Sequence, residues 1–371
     1  MSYIDQERFR RIVRHARDTN PFYRRFIPDE NAVPLLTRRI LQEHNDEILN
    51  GHPETIRTSG STGTPVRIHV SEERGRMSRQ YLNLGIRHLG GLLPRTQIIH
   101  PRGANSAPTL VDVQTPAKHQ ISILQAAFTS RGAVAIVTYP SNAVLLAQEI
   151  LDRKLDFGFI RRISLLSETV DPADRRFIAS AFPNARFWST YSSNEFGLIS
   201  FECPFCPDYH HIAGDLYAVE ILDDDDRECP PGRIGRLVLT DYFNFKMPLI
   251  RYEIGDLAAF GTCPCGKIAL PALQNVLGKA RNCLRHRDGR RIPFVDFSYR
   301  IRDLPGMRQF QVIQEAMDHF VVKVAASRDL EHELRGLFAA EFGPDVRLDI
   351  VPVDTIPREP SGKFYGSICR V

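Results

Sequence analysis

Gly132-Ala133-Val134-Ala135-Ile136-Val137-Thr138-Tyr139 is an apolar run closed by Pro140-Ser141, and helical periodicity follows from Asn142 to about Arg153. A short apolar run with a turn signal at its end and a helix beyond it is the pattern of a strand buried on both faces. The pattern recurs downstream. Ile163 to Leu166 is a second apolar strand, and Arg186 to Tyr191 is a third. Between them Asp171-Pro172 opens a helix through Phe177, Ile178 and Ala181, with aspartate at the cap and proline at the first helical position. This alternation predicts an α/β domain with a largely parallel or mixed sheet.

On either side the character changes. Residues 5–19 form an amphipathic helix with Phe9, Ile12, Val13 and Ala16 on one face, stopped by Asn20-Pro21. From about residue 215 the chain becomes β-rich: Leu216 to Leu222 and Arg236 to Thr240 flank the acidic turn Asp223 to Asp226. That turn lacks the alternating ligand spacing and distal glutamate of a calcium loop, so it reads as a solvated turn. Further on, strands at Phe310 to Gln314 and His319 to Ala325, a helix from Leu330 to Phe342 and a strand at Val346 to Val351 make a small α+β unit. The expected division is a large domain over 1–277 and a small one over 278–371.

The composition of the 371-residue chain is that of a globular protein, with 43% hydrophobic and 25% charged residues. A formal charge of +4, with no basic block interleaved with aromatics, gives no case for nucleic acid as a partner. No apolar run approaches the roughly 20 residues that span a bilayer. The polar start Met1-Ser2-Tyr3-Ile4-Asp5-Gln6-Glu7-Arg8 is unlike a signal or transit peptide, so the expectation is a cytoplasmic enzyme without membrane attachment. Oligomeric state is open, a homodimer included.

Four stretches carry the chemistry. Thr58-Ser59-Gly60-Ser61-Thr62-Gly63-Thr64-Pro65 is a hydroxyl- and glycine-rich loop whose backbone N–H groups can approach an anion; it is not a Walker loop. Tyr191-Ser192-Ser193-Asn194-Glu195-Phe196-Gly197 follows a strand and sets an aromatic ring, several donors and one carboxylate close together. That suits a nucleotide, with the ring on the base, donors at a phosphate and the glutamate on Mg²⁺. In Pro248-Leu249-Ile250-Arg251-Tyr252-Glu253-Ile254-Gly255-Asp256 the final aspartate could accept from both ribose hydroxyls. Pro357-Arg358-Glu359-Pro360-Ser361-Gly362-Lys363 is a glycine turn that presents one lysine, a mobile point charge.

As an ordered set these stretches resemble the adenylate-forming superfamily, and within it the phenylacetate–CoA ligase and coenzyme F390 synthetase-like branch. The resemblance runs from about residue 20 to 371. It implies a large N-terminal adenylate-forming domain of mixed sheets plus a β-rich portion, with a small mobile α+β C-terminal domain. It further implies that Thr58, Ser59, Gly60, Ser61, Thr62 and Gly63 hold the pyrophosphate end of ATP. Tyr191 would border the adenine, with Ser192 beside it. Asn194 would face the α-phosphate, Glu195 would ligate Mg²⁺ and Asp256 would bind the ribose. Gly278-Lys279 would begin the hinge, with Lys279 at the family's usual arginine. Lys363 would stabilise charge as a carboxylate attacks the α-phosphate. The chain departs from the pattern in Thr64, where many relatives have lysine, and in Asn194, where they have Thr or Ser. The hinge Gly278-Lys279-Ala280-Arg281-Asn282 lacks the usual acidic pair, and Asp288-Gly289-Arg290-Arg291 alone represents the segment of the thioester stage.

Seven cysteines in a reducing compartment suggest a metal before disulfides. Cys203-Pro204-Phe205-Cys206 is followed by His210-His211, and Cys263-Pro264-Cys265-Gly266 lies further on. Thiolate and imidazole at such spacing suit tetrahedral, structural Zn²⁺. The same family branch carries Cys, His and Cys-x-Cys here, which favours Cys203, His211, Cys263 and Cys265, with Cys206 as a substitute and His210 as the alternative to His211. His69, His100 and Trp188 read as core or rim residues. The leading functional reading is activation of a carboxylic acid, aryl or small, by ATP, with pyrophosphate release and transfer to a thiol, most simply CoA. Two readings stand beside it: the same adenylation with an amine, a carrier-protein thiol or another nucleophile as acceptor, and a zinc-stabilised nucleotide-binding module without turnover.

Overall fold

A computed structural model describes residues 2–58, 65–91, 96–101, 110–280, 283–359 and 361–371. It divides into two compact units, each discontinuous in sequence: Met1–Leu92 with Thr190–Gly278, and Leu93–Ser189 with Lys279–Val371. The chain changes unit three times: between Leu92 and Leu93, within the strand Arg186–Ser193, and between Gly278 and Lys279.

In the first unit the helix Gln6–Thr19 is capped by Asp5, whose carboxylate accepts from the N–H groups of Glu7 and Arg8, and it buries Ile12, Val13 and Ala16 as the periodicity predicts. Asn20 then caps Pro21–Phe26. The short helix Arg38–Glu43 and the long helix Glu72–His88 were not legible as periodic runs, because their apolar positions are sparse. The strands Tyr217–Leu222, Gly235–Asp241, Tyr252–Gly261, Ala272–Lys279, Tyr209–Ile212 and Gly197–Glu202 are neighbours in that order, and the end of Arg186–Ser193 pairs antiparallel with the last of them. Their apolar faces and the N-terminal helices share one core that includes Phe196, Tyr217 and Tyr252.

In the second unit the predicted α/β alternation is present. The start of Arg186–Ser193 pairs in parallel with Arg162–Leu165, which pairs in parallel with Ala135–Thr138; Thr96–His100 and Val111–Asp112 continue the parallel order. The apolar run from Gly132 thus yields a strand of four residues, and its last residue, Tyr139, is the N-cap of the helix Pro140–Asp152. The same unit holds a four-stranded sheet, in the order Arg347–Pro352, His319–Ala326, Met307–Ala316 and Ser367–Cys369, covered by the helices Phe294–Arg302 and Glu331–Phe342. Arg302 donates to Asp174 at 2.7 Å, and the Ser298 hydroxyl donates to Asp171, the cap of the helix Pro172–Ala181. These bonds tie Phe294–Arg302 to the parallel layer. Among the described residues no helix is long and apolar enough to cross a membrane.

Candidate nucleotide site and candidate metal centre

Glu195 sits in the tight turn Asn194-Glu195-Phe196 between the strands Arg186–Ser193 and Gly197–Glu202. The turn closes because Gly197 adopts φ +68°, a conformation costly for other residues, and because the Phe196 N–H donates to Ser193 Oγ at 3.0 Å. Phe196 anchors it: fully buried, its ring meets Tyr217 edge-on and stacks on Tyr252. Arg74, on the helix Glu72–His88, donates from Nη1 to the Glu195 carbonyl at 2.6 Å and lies 3.5 Å from the Asp241 carboxylate. With its backbone pinned, Glu195 turns its carboxylate inward and is only 7% exposed, while Ser192 and Asn194 stay exposed.

The partner of that carboxylate is a residue the motifs did not single out. Arg38 donates from Nη1 to Glu195 Oε1 at 2.7 Å and from Nη2 to Thr58 Oγ1 at 3.0 Å. Thr58 also forms the neck of the glycine-rich loop: its N–H donates to the Val66 carbonyl at 2.9 Å, and the Val66 N–H donates back to Thr58 Oγ1 at 2.9 Å. Arg38 thus bridges the loop neck and the glutamate. Ser59, Gly60, Ser61, Thr62 and Gly63 lie outside the described residues. Removing the guanidinium would leave a buried carboxylate without its cation. Arg38→Ala is expected to cost on the order of 1–3 kcal/mol of stability. Urea denaturation reads this as a lower midpoint, and an unchanged midpoint would mean the pair contributes nothing.

Asp256 is placed by a bulge. Val238 opposes Glu253 while Arg236 opposes Leu257, so Ile254, Gly255 and Asp256 face Leu237 alone. Gly255 takes φ +81° at this point, and the extra residues re-aim the aspartate. Its Oδ2 accepts from the Tyr191 hydroxyl at 2.5 Å, and Asp256 is 5% exposed. Burial, and then the adjacent carboxylate, hold the Tyr191 phenol well above its ordinary range, so it stays a donor. Tyr191 and Asp256, read separately from the sequence, are joined in the structure.

The same strands end at a second cluster. Cys203 follows Gly197–Glu202, Cys263 and Cys265 follow Tyr252–Gly261, and His211 lies on Tyr209–Ile212. One ligand atom from each of these four residues lies within 4.8 Å of all the others, and Cys206 is not among the four. His211 Nε2 is 3.8 Å from Cys265 Sγ, while Nδ1 lies 3.4 Å from the Leu270 carbonyl, which favours the tautomer that turns the Nε2 lone pair to the thiols. Backbone N–H groups of Phe205 and Cys206 face the Cys203 sulfur, and those of Lys267 and Ile268 face Cys265. Burial pushes the Cys203 thiol up and the Cys263 thiol up to about 12, while Cys265, with the N–H groups of Lys267 and Ile268 facing it, is brought down in spite of its burial; a bound divalent cation would favour thiolate at all three. Three sulfurs and one imidazole in this arrangement fit Zn²⁺ as a closed, structural site.

Lys279 and Lys363 belong to the second unit, whereas the other site residues named above belong to the first. Lys279 ends the strand Ala272–Lys279, after Gly278 at φ +71°. The Lys363 turn is closed by two backbone bonds, Glu359 N–H to the Lys363 carbonyl at 2.9 Å and Gly362 N–H to the Glu359 carbonyl at 2.8 Å. Gly362, at φ +77°, lies so close to Pro101, Val113 and Tyr139 that a Cβ would come within 2.5 Å of the first. The Tyr139 hydroxyl donates to the Ser361 carbonyl at 3.4 Å, and Gln114 Nε2 donates to the Glu359 carbonyl at 3.2 Å. The turn therefore rests on the carboxyl ends of the parallel strands of its own unit, where α/β sheets hold ligands.

The family model for the CapK C-terminal domain matches residues 284–368. A phenylacetate–coenzyme A ligase of Thermus thermophilus is 23% identical over 312 residues, which is 71% of this chain and 67% of that protein. Among solved structures, 2-hydroxyisobutyryl-CoA ligase in the postadenylation state with 2-HIB-AMP matches 98% of this chain and 88% of its own at a TM-score of 0.78 and 16% identity. The amide bond synthetase McbA of Marinactinospora thermotolerans, as a K483A mutant, matches at a TM-score of 0.58 and 15% identity, covering 84% of this chain and 68% of its own. At such identities the structural likeness speaks for the fold.

Proposed function

We propose, from the premise that this chain belongs with the adenylate-forming ligases by its fold and its ordered motifs, that it activates a carboxylic acid with ATP and passes the acyl group to a thiol, most simply CoA. The observation that carries this is the junction in the first unit: Thr58 at the loop neck and Glu195 share Arg38, while Tyr191 and Asp256 share a hydrogen bond. A phosphate-type loop whose neck is bridged to a buried carboxylate, and a tyrosine–aspartate pair on the large sheet, are the parts an adenylating site needs for triphosphate, metal and ribose. The curated relative, named a CoA ligase, points to the same reaction.

In the first step a carboxylate oxygen of the acid attacks the α-phosphorus. The bond from that phosphorus to the bridging oxygen breaks, and pyrophosphate leaves with the electron pair. Charge builds on the α-phosphoryl oxygens and on the leaving group, and preorganised donors stabilise it. The loop from Thr58 would cradle the pyrophosphate end, Asn194 would donate at the α-phosphate, and Asp256 would accept from the ribose hydroxyls. Mg²⁺ held by Glu195, a carboxylate already paired with a cation in Arg38, would neutralise charge on the departing pyrophosphate. Lys363 supplies the mobile positive charge for the attack itself. In the second step a thiol sulfur attacks the acyl carbon, AMP leaves, and the thiol proton goes to solvent.

Acid-dependent exchange of labelled pyrophosphate into ATP, run over a broad acid panel, tests the adenylation step; absence of exchange with every acid would sink it. One neighbour of the same fold is named an amide bond synthetase, so product analysis with CoA and with amines assigns the acceptor.

A further inference from the structure

Glu168 lies just beyond the strand Arg162–Leu165, after Ser167, a non-glycine residue held at φ +66°. No motif includes it, yet its side chain is only 10% exposed and accepts three hydrogen bonds. Ser141, at the start of the helix Pro140–Asp152, donates its N–H to Glu168 Oε2 at 3.0 Å and its hydroxyl to Oε1 at 3.0 Å. The third donor is the backbone N–H of Phe364, the residue after Lys363, to Oε1 at 2.7 Å. Arg358, from the other side of the same turn, donates from Nη1 to Ser141 Oγ at 2.7 Å and to the Gly362 carbonyl at 3.0 Å, and it lies 3.9 Å from Glu168 Oε1. The carboxylate thus occupies a helix N-terminus, where negative charge is favoured, and spends its remaining capacity on the turn that carries the lysine. All four residues belong to one compact unit.

We propose that Glu168, Ser141 and Arg358 are positioning residues that latch the Lys363 turn against the end of the parallel sheet for the adenylation step. Arg358 and the Phe364 amide flank the lysine in sequence, so holding both fixes the backbone from which Lys363 projects. This rests on the reading of Lys363 as the adenylation lysine. Glutamine at 168 keeps the size and one acceptor oxygen but puts an NH₂ where Oε2 receives the Ser141 N–H.

The test uses the ligand-free full chain and two readouts. In Glu168→Gln, hydrogen exchange in the peptide over residues 357–365 should speed up by roughly 10- to 100-fold, the span expected when the acceptor of the Phe364 N–H loses its charge and the Ser141 N–H bond that orients it is broken, while the strands Arg162–Leu165 and Ala135–Thr138 keep their protection. Pyrophosphate exchange with an acid that the wild type accepts should show kcat lowered by a similar factor with KM for ATP within about twofold, as a misplaced lysine demands. Ser141→Ala should do the same more weakly, and serves if Glu168→Gln does not fold. Wild-type protection over 357–365 in both variants would overturn the latch. Faster hydrogen exchange with unchanged kcat would overturn the positioning role. If the wild type itself exchanges no pyrophosphate with any acid, the functional reading fails, and the hydrogen-exchange arm still decides whether the latch exists.

Discussion

Lys363→Ala lowers acid-dependent pyrophosphate exchange by about 10²- to 10³-fold or more, while the protein keeps its melting temperature and its metal content. The scale is that of deleting one preorganised group that stabilises transition-state charge, about 3–4 kcal/mol of barrier. Folding should be spared, because Lys363 is only half-buried and the turn is held by backbone bonds, by Arg358 and by Glu168 rather than by the lysine side chain. Lys363→Arg should recover little, since a planar fork cannot reproduce a compact ammonium at one position. Measured exchange within threefold of wild type in Lys363→Ala would show that the C-terminal turn has another purpose.

Cys263→Ser, or removal of metal by a strong chelator, is expected to lower the zinc content from about one per chain to near zero. It should also lower the melting temperature by on the order of 5–15 °C, from a loss of a few kcal/mol. The effect should reach the nucleotide residues. The strand Gly197–Glu202 starts at the Glu195 turn and ends at Cys203; Tyr252–Gly261 carries Asp256 and ends just before Cys263. Freeing the far ends of both strands loosens the frame that sets Glu195 and Asp256. ATP binding should therefore weaken along with stability. Cys206→Ser is the matched control, because Cys206 stands outside the four converging ligands and its loss should leave zinc in place. Zinc absent from protein purified without chelators would remove the metal centre altogether.

The parts legible in the sequence were those with a local signature. A short apolar run marked the strand Ala135–Thr138, because both its faces are covered, and period-3.6 patterns marked the helices Pro140–Asp152 and Pro172–Ala181, because burial of one face repeats along the chain. Paired cysteines and histidines marked a candidate metal site, because thiolate and imidazole at short spacing have few other uses. Arg38, Arg74 and Glu168 had no such mark. An arginine on a short helix or a glutamate after a strand is common, and each gains meaning only from what it meets.

By itself the sequence determined the class of fold, the order of the hydroxyl- and glycine-rich loop, glutamate turn, aspartate and lysine turn, and a cysteine–histidine set suited to zinc, with Cys203 or Cys206 and His210 or His211 left open. Those follow from residue chemistry over a few positions. Only the tertiary structure decided that Arg38 joins Thr58 to Glu195, that a bulge at Gly255 aims Asp256 at Tyr191, and that residues 279–371 cluster with 93–189 in one unit. It alone also set the Lys363 turn on Glu168. These are contacts between segments distant in sequence. They form because each buried charge or donor must find a partner once water is excluded, and no local pattern records which partner that will be.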